Sequence, residues 1–413
     1  MATTTAIYQN TVIAPTGGVN PFAGQGQTYQ LTLAYTGTAA KVTLIFNGQQ
    51  TGTQYQFGYG FVTGLNPIYS FTYNNKIYIL QGATTNFCAL NEPTVWNNPQ
   101  GNFNGFVTMS DYYATQANLV SVAAYQGRLA YFSNYTIQFW IIDPNPASWQ
   151  QAQVLTNVGT FATKSVASLG DLDVLFLDYN GIRSLRVRDS SLNAFVNDIG
   201  SPIDKLIQTT LQQSGIPAAS AACSITDPNT GRYWLFIPNT SDANGVGKIY
   251  VLSYYPGNKI VGWSTYDPSY LVNGTVTYFT PQLFTIFKGQ IWCRATTGGL
   301  FLFGGSGGST FDAITATVQV PFFDMRHPAH NKIAQAIDVD ISNGTWNIYA
   351  TSDWINDTFT QTNAAAQATY DQGWVPFSSQ GTHFSMEATT TSATAATLSS
   401  LVLHYALGEE PVQ

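Results

Sequence analysis

Charge is what this sequence has least of. Only 9% of its 413 residues are Asp, Glu, Lys or Arg, against about 25% in ordinary globular proteins. The 15 Lys and Arg are outnumbered by 22 Asp and Glu, for a net charge of −7, so the surface as a whole is not a basic face for binding nucleic acid. Cysteine is scarce as well. Cys88, Cys223 and Cys293 are odd in number and far apart, which does not read as a disulfide framework, and Cys223 and Cys293 lie in apolar runs where a thiol acts as a small hydrophobe. No uninterrupted apolar run approaches the roughly 20 residues of a membrane span. The first eight residues carry neither the basic nor the apolar region of a signal peptide, so the expectation is a chain made in a cytoplasm.

The chemical signatures missing from the chain are equally informative. It has no Gly-x-Ser-x-Gly elbow, no phosphate loop and no Cys-x-x-Cys. The Ser-x-Asp-x-Gly-x-Thr-Trp box of sialidase-like propellers and the Trp-Asp signature of regulatory propellers are both absent. Glycosidases need two carboxylates flanking a cleft, whereas Asp171, Asp173, Asp178, Asp227 and Asp267 mostly sit in turns, where Asp bonds local backbone. His327 and His330 are the one histidine pair, but Pro328 breaks any helix between them and no third ligand is evident. Ser241-Asp-Ala-Asn-Gly245 begins like a calcium loop and lacks its later acids. Five Asn-x-Ser/Thr triplets, starting at Asn134, Asn239, Asn273, Asn343 and Asn356, read as Asn-rich turns. The sequence therefore predicts no catalytic residue, no metal site, no cofactor and no enzyme activity.

What is present is β-branched and aromatic. Hydrophobic residues make up 44% and aromatics 14%, with 24 Tyr, a composition suited to pleated, half-buried surfaces. Residues 121–187 set the pattern: apolar runs of four to eight residues cut by polar or Gly turns, as in antiparallel hairpins. Asn180-Gly181 suits a type I′ turn, and residues 182–187 read as the strand that follows it. From about residue 65 to 305 a polar turn followed by an aromatic strand recurs: Tyr73-Asn-Asn-Lys-Ile-Tyr-Ile-Leu80, Tyr125-Gln-Gly-Arg-Leu-Ala-Tyr-Phe132, Leu169-Gly-Asp-Leu-Asp-Val-Leu-Phe176, Asp227-Pro-Asn-Thr-Gly-Arg-Tyr-Trp-Leu-Phe236 and Phe287-Lys-Gly-Gln-Ile-Trp-Cys293. Intervals of roughly 45 to 60 residues fit propeller blades. The prediction is an all-β chain with a β-propeller of five blades, six being the alternative count.

Residues 1–64 offer alternating segments at 29–35 and 41–46 and read as part of a platform. The glycine-rich run 304–308 looks like a linker. Residues 306–413 then supply strands near 315–323, 334–341, 346–350, 382–389 and 398–406, read as a β-sandwich that the N-terminal strands are free to join. One helix is expected, with Ser201 as N-cap, Pro202 at N1, a stripe of Ile203, Leu206, Ile207 and Leu211, and Gly215 at its end.

The runs Tyr125–Phe132, Ile137-Gln-Phe-Trp140, Gly159-Thr-Phe-Ala-Thr-Lys-Ser-Val166 and Val174-Leu-Phe-Leu-Asp-Tyr-Asn-Gly-Ile-Arg-Ser-Leu185 resemble the tail nozzle proteins of short-tailed bacteriophages, also called tail tubular protein B or packaged-DNA stabilisation proteins. The segment from Val320-Pro-Phe-Phe-Asp-Met-Arg-His-Pro-Ala-His-Asn-Lys-Ile333 through Trp346-Asn-Ile-Tyr349 is similar to the strands after their propeller. The resemblance implies a virion tail protein: a hexameric ring below the portal and adaptor, sometimes meeting tail fibres, through which double-stranded DNA is retained and ejected without specific binding. A lumen poor in Lys and Arg suits that passage, because each neutralised phosphate adds affinity. The alternative from the residues themselves is a carbohydrate-binding or carbohydrate-cleaving propeller, with exposed Trp and Tyr stacking on sugar rings.

Overall fold

A computed structural model describes residues 30–36, 39–45, 54–57, 68–96, 105–109, 118–170, 173–191, 198–227, 229–255, 260–304, 312–328, 330–353, 360–365 and 375–408. The described chain is a succession of small antiparallel sheets, most of them meanders with neighbouring strands adjacent in sequence. The first sheet contains Tyr69–Tyr73, Lys76–Gln81, Thr84–Ala89 and Glu92–Trp96, with Gly105–Thr108 also paired to Thr84–Ala89. Leu119–Tyr125, Arg128–Ser133, Thr136–Ile141 and Gln150–Thr156 form the second sheet. Ala167–Leu169, Asp173–Asp178 and Gly181–Ser184 make the third, and Cys223–Asp227, Arg232–Pro238, Gly247–Tyr255 and Ile260–Tyr266 the fourth. The fifth consists of Pro281–Phe287, Gln290–Ala295 and Leu300–Leu302.

The recurring polar turn is the first hairpin of each sheet. Tyr73 pairs with Lys76 and Tyr125 with Arg128, leaving two-residue loops. Asn74 and Asn75 have φ of 45° and 60°, and Gln126 and Gly127 have 48° and 72°, the double positive φ of a type I′ turn, whose twist matches that of the strands. Asn180-Gly181 behaves differently. Asp178 pairs with Gly181, so the loop is Tyr179-Asn180, and neither has positive φ. Gly181 begins the next strand at φ 139° against the Asp204 carboxylate, where a Cβ would not fit. The strand expected over 182–187 stops at Ser184, and Leu185–Ser191 is a helix, α1.

Successive sheets share their cores. Tyr78, Leu80 and Phe87 of the first pack with Leu129, Tyr131 and Trp140 of the second. Phe132, Ile137 and Phe139 of the second meet Val174 and Phe176 of the third. Leu175, Leu177 and Ile182 of the third join Tyr233, Leu235, Tyr250 and Leu252 of the fourth. The first strands also run side by side: Tyr69–Tyr73 with Leu119–Tyr125, that strand with Ala167–Leu169, Ala167–Leu169 with Cys223–Asp227, and Cys223–Asp227 with Pro281–Phe287. Meanders packed face to face, each with its first strand beside the next, are the blades of a β-propeller.

The expected helix starts later than its sequence signals. Ser201–Ile203 forms a single 3₁₀ turn, and helix α2 spans Asp204–Ser214. The Ser201 hydroxyl accepts the Asp198 N–H (2.8 Å) instead of capping α2. Ile207 and Leu211 are buried as the stripe requires, but Leu206 is 45% exposed. Gly215, at φ 75°, ends the helix and donates its N–H to Leu211 (2.9 Å).

By compactness the chain divides into two units. One comprises Met1–Pro268, Thr280–Gly289 and Arg294–Gly298; the other comprises Ser269–Phe279, Gln290–Cys293 and Gly299–Gln413. Gln30–Thr36, Ala39–Ile45 and Gln54–Phe57 form a three-stranded sheet. It falls in the first unit, with Gln54–Phe57 beside Glu92–Trp96. In the second unit the sheet Ala316–Phe323, Phe384–Thr390, Trp346–Ser352, Thr360–Ala365 faces the sheet Val375–Gly381, Lys332–Asn343, Thr397–Leu407. Ile337, Val339, Trp346, Ile348, Phe377, Phe384 and Met386 fill the space between them. This is a β-sandwich. Of the expected linker, only Gly304 lies within the described residues.

Candidate functional site

The densest polar constellation gathers on the third sheet. Arg183 and Ser184 end its last strand, Arg188 lies on α1, Asp198 precedes α2 and Asp204 is the first residue of α2. Arg183 is 5% exposed and Arg188 7%, so each guanidinium needs partners within the protein. Arg183 donates to the carbonyls of Ile182 (3.0 Å) and Asn180 (2.7 Å) and pairs with the Asp204 carboxylate at 2.7 Å. Arg188 pairs with Asp198 at 3.3 Å, and the other Asp198 oxygen accepts the N–H groups of Ser184 (3.0 Å) and Ile199 (2.7 Å). Asp173 accepts the Ser184 hydroxyl (2.5 Å) and the Arg186 N–H (3.0 Å). A carboxylate at the first turn of α1 satisfies donors the helix cannot, which accounts for a helix where the apolar pattern predicts a strand.

The cluster has an unusual proton balance. Burial pushes Asp178 up to about 6, and the neighbouring Asp198 adds to the rise, against the pull of the Tyr179 N–H, Arg183 and Arg188. Burial also raises Asp173 and Asp198. Such perturbation is common at functional sites and in structural ion networks alike. Here the arginines hold carbonyls and carboxylates of their own chain, an arrangement that ties α1 and the entry to α2 onto the sheet.

Other residues singled out from the sequence are placed apart. The His327 and His330 rings stand edge to face, 6.2 Å between centroids. Their carbonyls, with that of Thr382, accept the ammonium of the fully buried Lys332 at 2.7, 2.9 and 2.8 Å. Backbone, not imidazole, is what that loop contributes. Sequence reading missed Lys332; its one signal is a lysine opening the alternating run Ile333–Ile341. In Ser241–Gly245 the Asp242 carboxylate accepts the Ala243 N–H (2.8 Å) and lies 4.0 Å from Lys248. Asn244 donates to the Gly247 carbonyl (2.8 Å) and to Asp267 (3.0 Å), so the loop is closed on itself. Asp227 accepts the Asn229 N–H (3.0 Å) and the Thr230 hydroxyl (2.6 Å), a turn role. Asp171 lies outside the described residues. All three cysteines are buried and unbridged. Among the described residues no group of three or more His, Cys, Asp or Glu is placed to hold a metal ion, and no helix is long and apolar enough to cross a membrane.

Two histidines pair with carboxylates in the sandwich. His404 is 2.8 Å from Asp338. His383 and the Thr382 hydroxyl both meet Asp353, which also accepts the Thr382 N–H at 2.8 Å. Burial opposes the Asp353 charge, but these hydrogen bonds outweigh it and lower its pKa.

No protein-family model matches the sequence, and no curated protein does. Among solved structures, one similar chain is PorZ, a bacterial surface component of the type-IX secretion system of Porphyromonas gingivalis, at 12% identity and a TM-score of 0.35 over 86% of this chain and 53% of that one. This chain thus spans about half the length of the PorZ structure. The Neurospora crassa Pan2 WD40 domain matches at 8% identity and 0.33, covering 68% of this chain and 78% of its own. An exo-β-1,3-galactanase from Phanerochaete chrysosporium matches at 10% and 0.28, covering 98% and 99%. Likenesses of this size carry no argument for activity or partners.

Proposed function

We propose that this chain is the nozzle subunit of a short viral tail, a hexameric ring docked below adaptor and portal through which double-stranded DNA is held and then ejected. The observation that carries the reading is where the resembling runs fall. Tyr125–Phe132, Ile137–Trp140 and Val174–Ser184 are core segments of two consecutive blades, and the later resembling run supplies the sandwich strands Ala316–Phe323, Lys332–Asn343 and Trp346–Ser352, the order that the resemblance implies. Low charge supports it physically, since a DNA conduit works best without cations facing the phosphates. Aromatic residues supply contact area between ring subunits at low entropic cost.

Electron microscopy of the purified protein and of virions tests the proposal. The expected result is a ring of six copies at the distal end of a short tail. A monomer that releases sugars from host polysaccharide, with turnover abolished by one Asp or Glu substitution, would replace this reading with a carbohydrate-cleaving propeller.

A further inference from the structure

The described chain contains several Asn-Gly pairs, and the fold treats them unequally. Asn273-Gly274 is the two-residue loop of the hairpin Ser269–Val272/Thr275–Tyr278, which pairs with no third strand among the described residues. Both residues have positive φ, 51° and 79°, and residues 272–276 are all exposed. Nothing lies within 4 Å of the position a Gly274 Cβ would take. Tyr270 at the hairpin's base packs on Phe301 and the Leu271 N–H bonds Asp312 (2.9 Å), but the tip beyond these contacts is exposed and opens at little cost. Other pairs are held. Asn180 gives its carbonyl to Arg183 and Gln208, and Gly181 lies against Asp204. The Asn244 side chain makes four hydrogen bonds, to Gly247 twice, Val246 and Asp267. Gly344, after Asn343, is packed on Ala396.

We infer that Asn273 is a self-modifying site, where the backbone nitrogen of Gly274 attacks the Asn273 side-chain carbonyl. The new N–C bond forms as the C–NH₂ bond breaks, ammonia leaves with the amide proton, and a cyclic imide results. Water then opens the imide at either carbonyl, giving aspartate or isoaspartate. No oxidant, metal or enzyme is required. Either product puts a carboxylate on an uncharged tip, and isoaspartate inserts a methylene into the backbone between the paired Leu271 and Val276.

The test is to incubate the intact protein in mildly alkaline buffer and follow amide-to-acid conversion by peptide mass mapping. Trypsin isolates Asn273 as the single Asn of peptide 260–288 and Asn180 as that of 165–183. Asn244 and Asn343 are read after a second protease. Asn273 is expected to convert about tenfold faster than Asn180 or Asn244, and the four sites should converge in concentrated urea, where local opening no longer differs. Conversion of Asn180 or Asn244 at the Asn273 rate in the native protein would overturn the inference. So would a ranking that persists unchanged in urea.

Discussion

Asp178 shows how one side chain can set a pH dependence. Its pKa, ordinarily 3.8, is about 6 in the fold because burial disfavours the charge. A raised folded value means that the native state binds the proton more tightly than the unfolded chain. The resulting stabilisation is full below the unfolded value and is lost as pH rises through about 6. Asp173 and Asp198 are shifted the same way. Urea midpoints should therefore be higher near pH 5 than near pH 8, and Asp178→Asn should remove its own share of the difference, about 1.4 kcal/mol over that interval. Gly159 matters for a different reason. Its backbone is unexceptional, but an added Cβ would lie 2.2 Å from the Ser133 carbonyl oxygen and 2.7 Å from that of Asn134. These are backbone atoms of the adjoining residues Ser133 and Asn134, which cannot give way cheaply. Gly159→Ala should cost about 1–3 kcal/mol, read as a lowered urea midpoint with an unchanged slope.

Among elements, α1 and the turn carrying His327 and His330 are fastened by buried charges. Removing one partner of a buried pair leaves the other uncompensated, at a cost of about 3–5 kcal/mol, whereas replacing both with apolar groups is often neutral. Arg188→Met should therefore destabilise strongly, and Arg188→Met with Asp198→Leu should recover most of the loss in denaturant titration. The second substitution also strips the Ser184 and Ile199 N–H groups of their acceptor, so recovery should be incomplete. Lys332→Met would leave three carbonyls without their donor, and hydrogen bonds to a charged group contribute about 1.5–3 kcal/mol each. Limited proteolysis should then cut near residues 324–331 much faster than in the wild type.

For the whole molecule the proposed role makes an electrostatic prediction. If DNA slides through a ring of these subunits, the assembled protein should bind duplex weakly even at low salt, where screening is least. Titration with a labelled duplex should give an almost flat dependence of affinity on salt. Arginines substituted at lumen positions should restore a steep slope and slow genome release without disturbing ring assembly. Tight, salt-sensitive binding by the wild-type ring would count against a conduit.

Much of the architecture could be read in one dimension because it rests on local rules. Period-two alternation and two-residue turns such as Asn74-Asn75 and Gln126-Gly127 act over a few residues, so the blade hairpins and most sandwich strands were legible. The short strands Gln54–Phe57, Thr360–Ala365 and Val375–Gly381 were not, since Gln, Thr, Asn and Ser dilute the apolar signal. Gly181 was misread because its φ answers to Asp204 on α2, a partner more than twenty residues away in sequence. The α1 helix depends on Asp173, and the burial of Lys332 on carbonyls as distant as Thr382. Buried charges are placed by partners remote in sequence, and a linear pattern carries no record of which carbonyl or carboxylate will close around them.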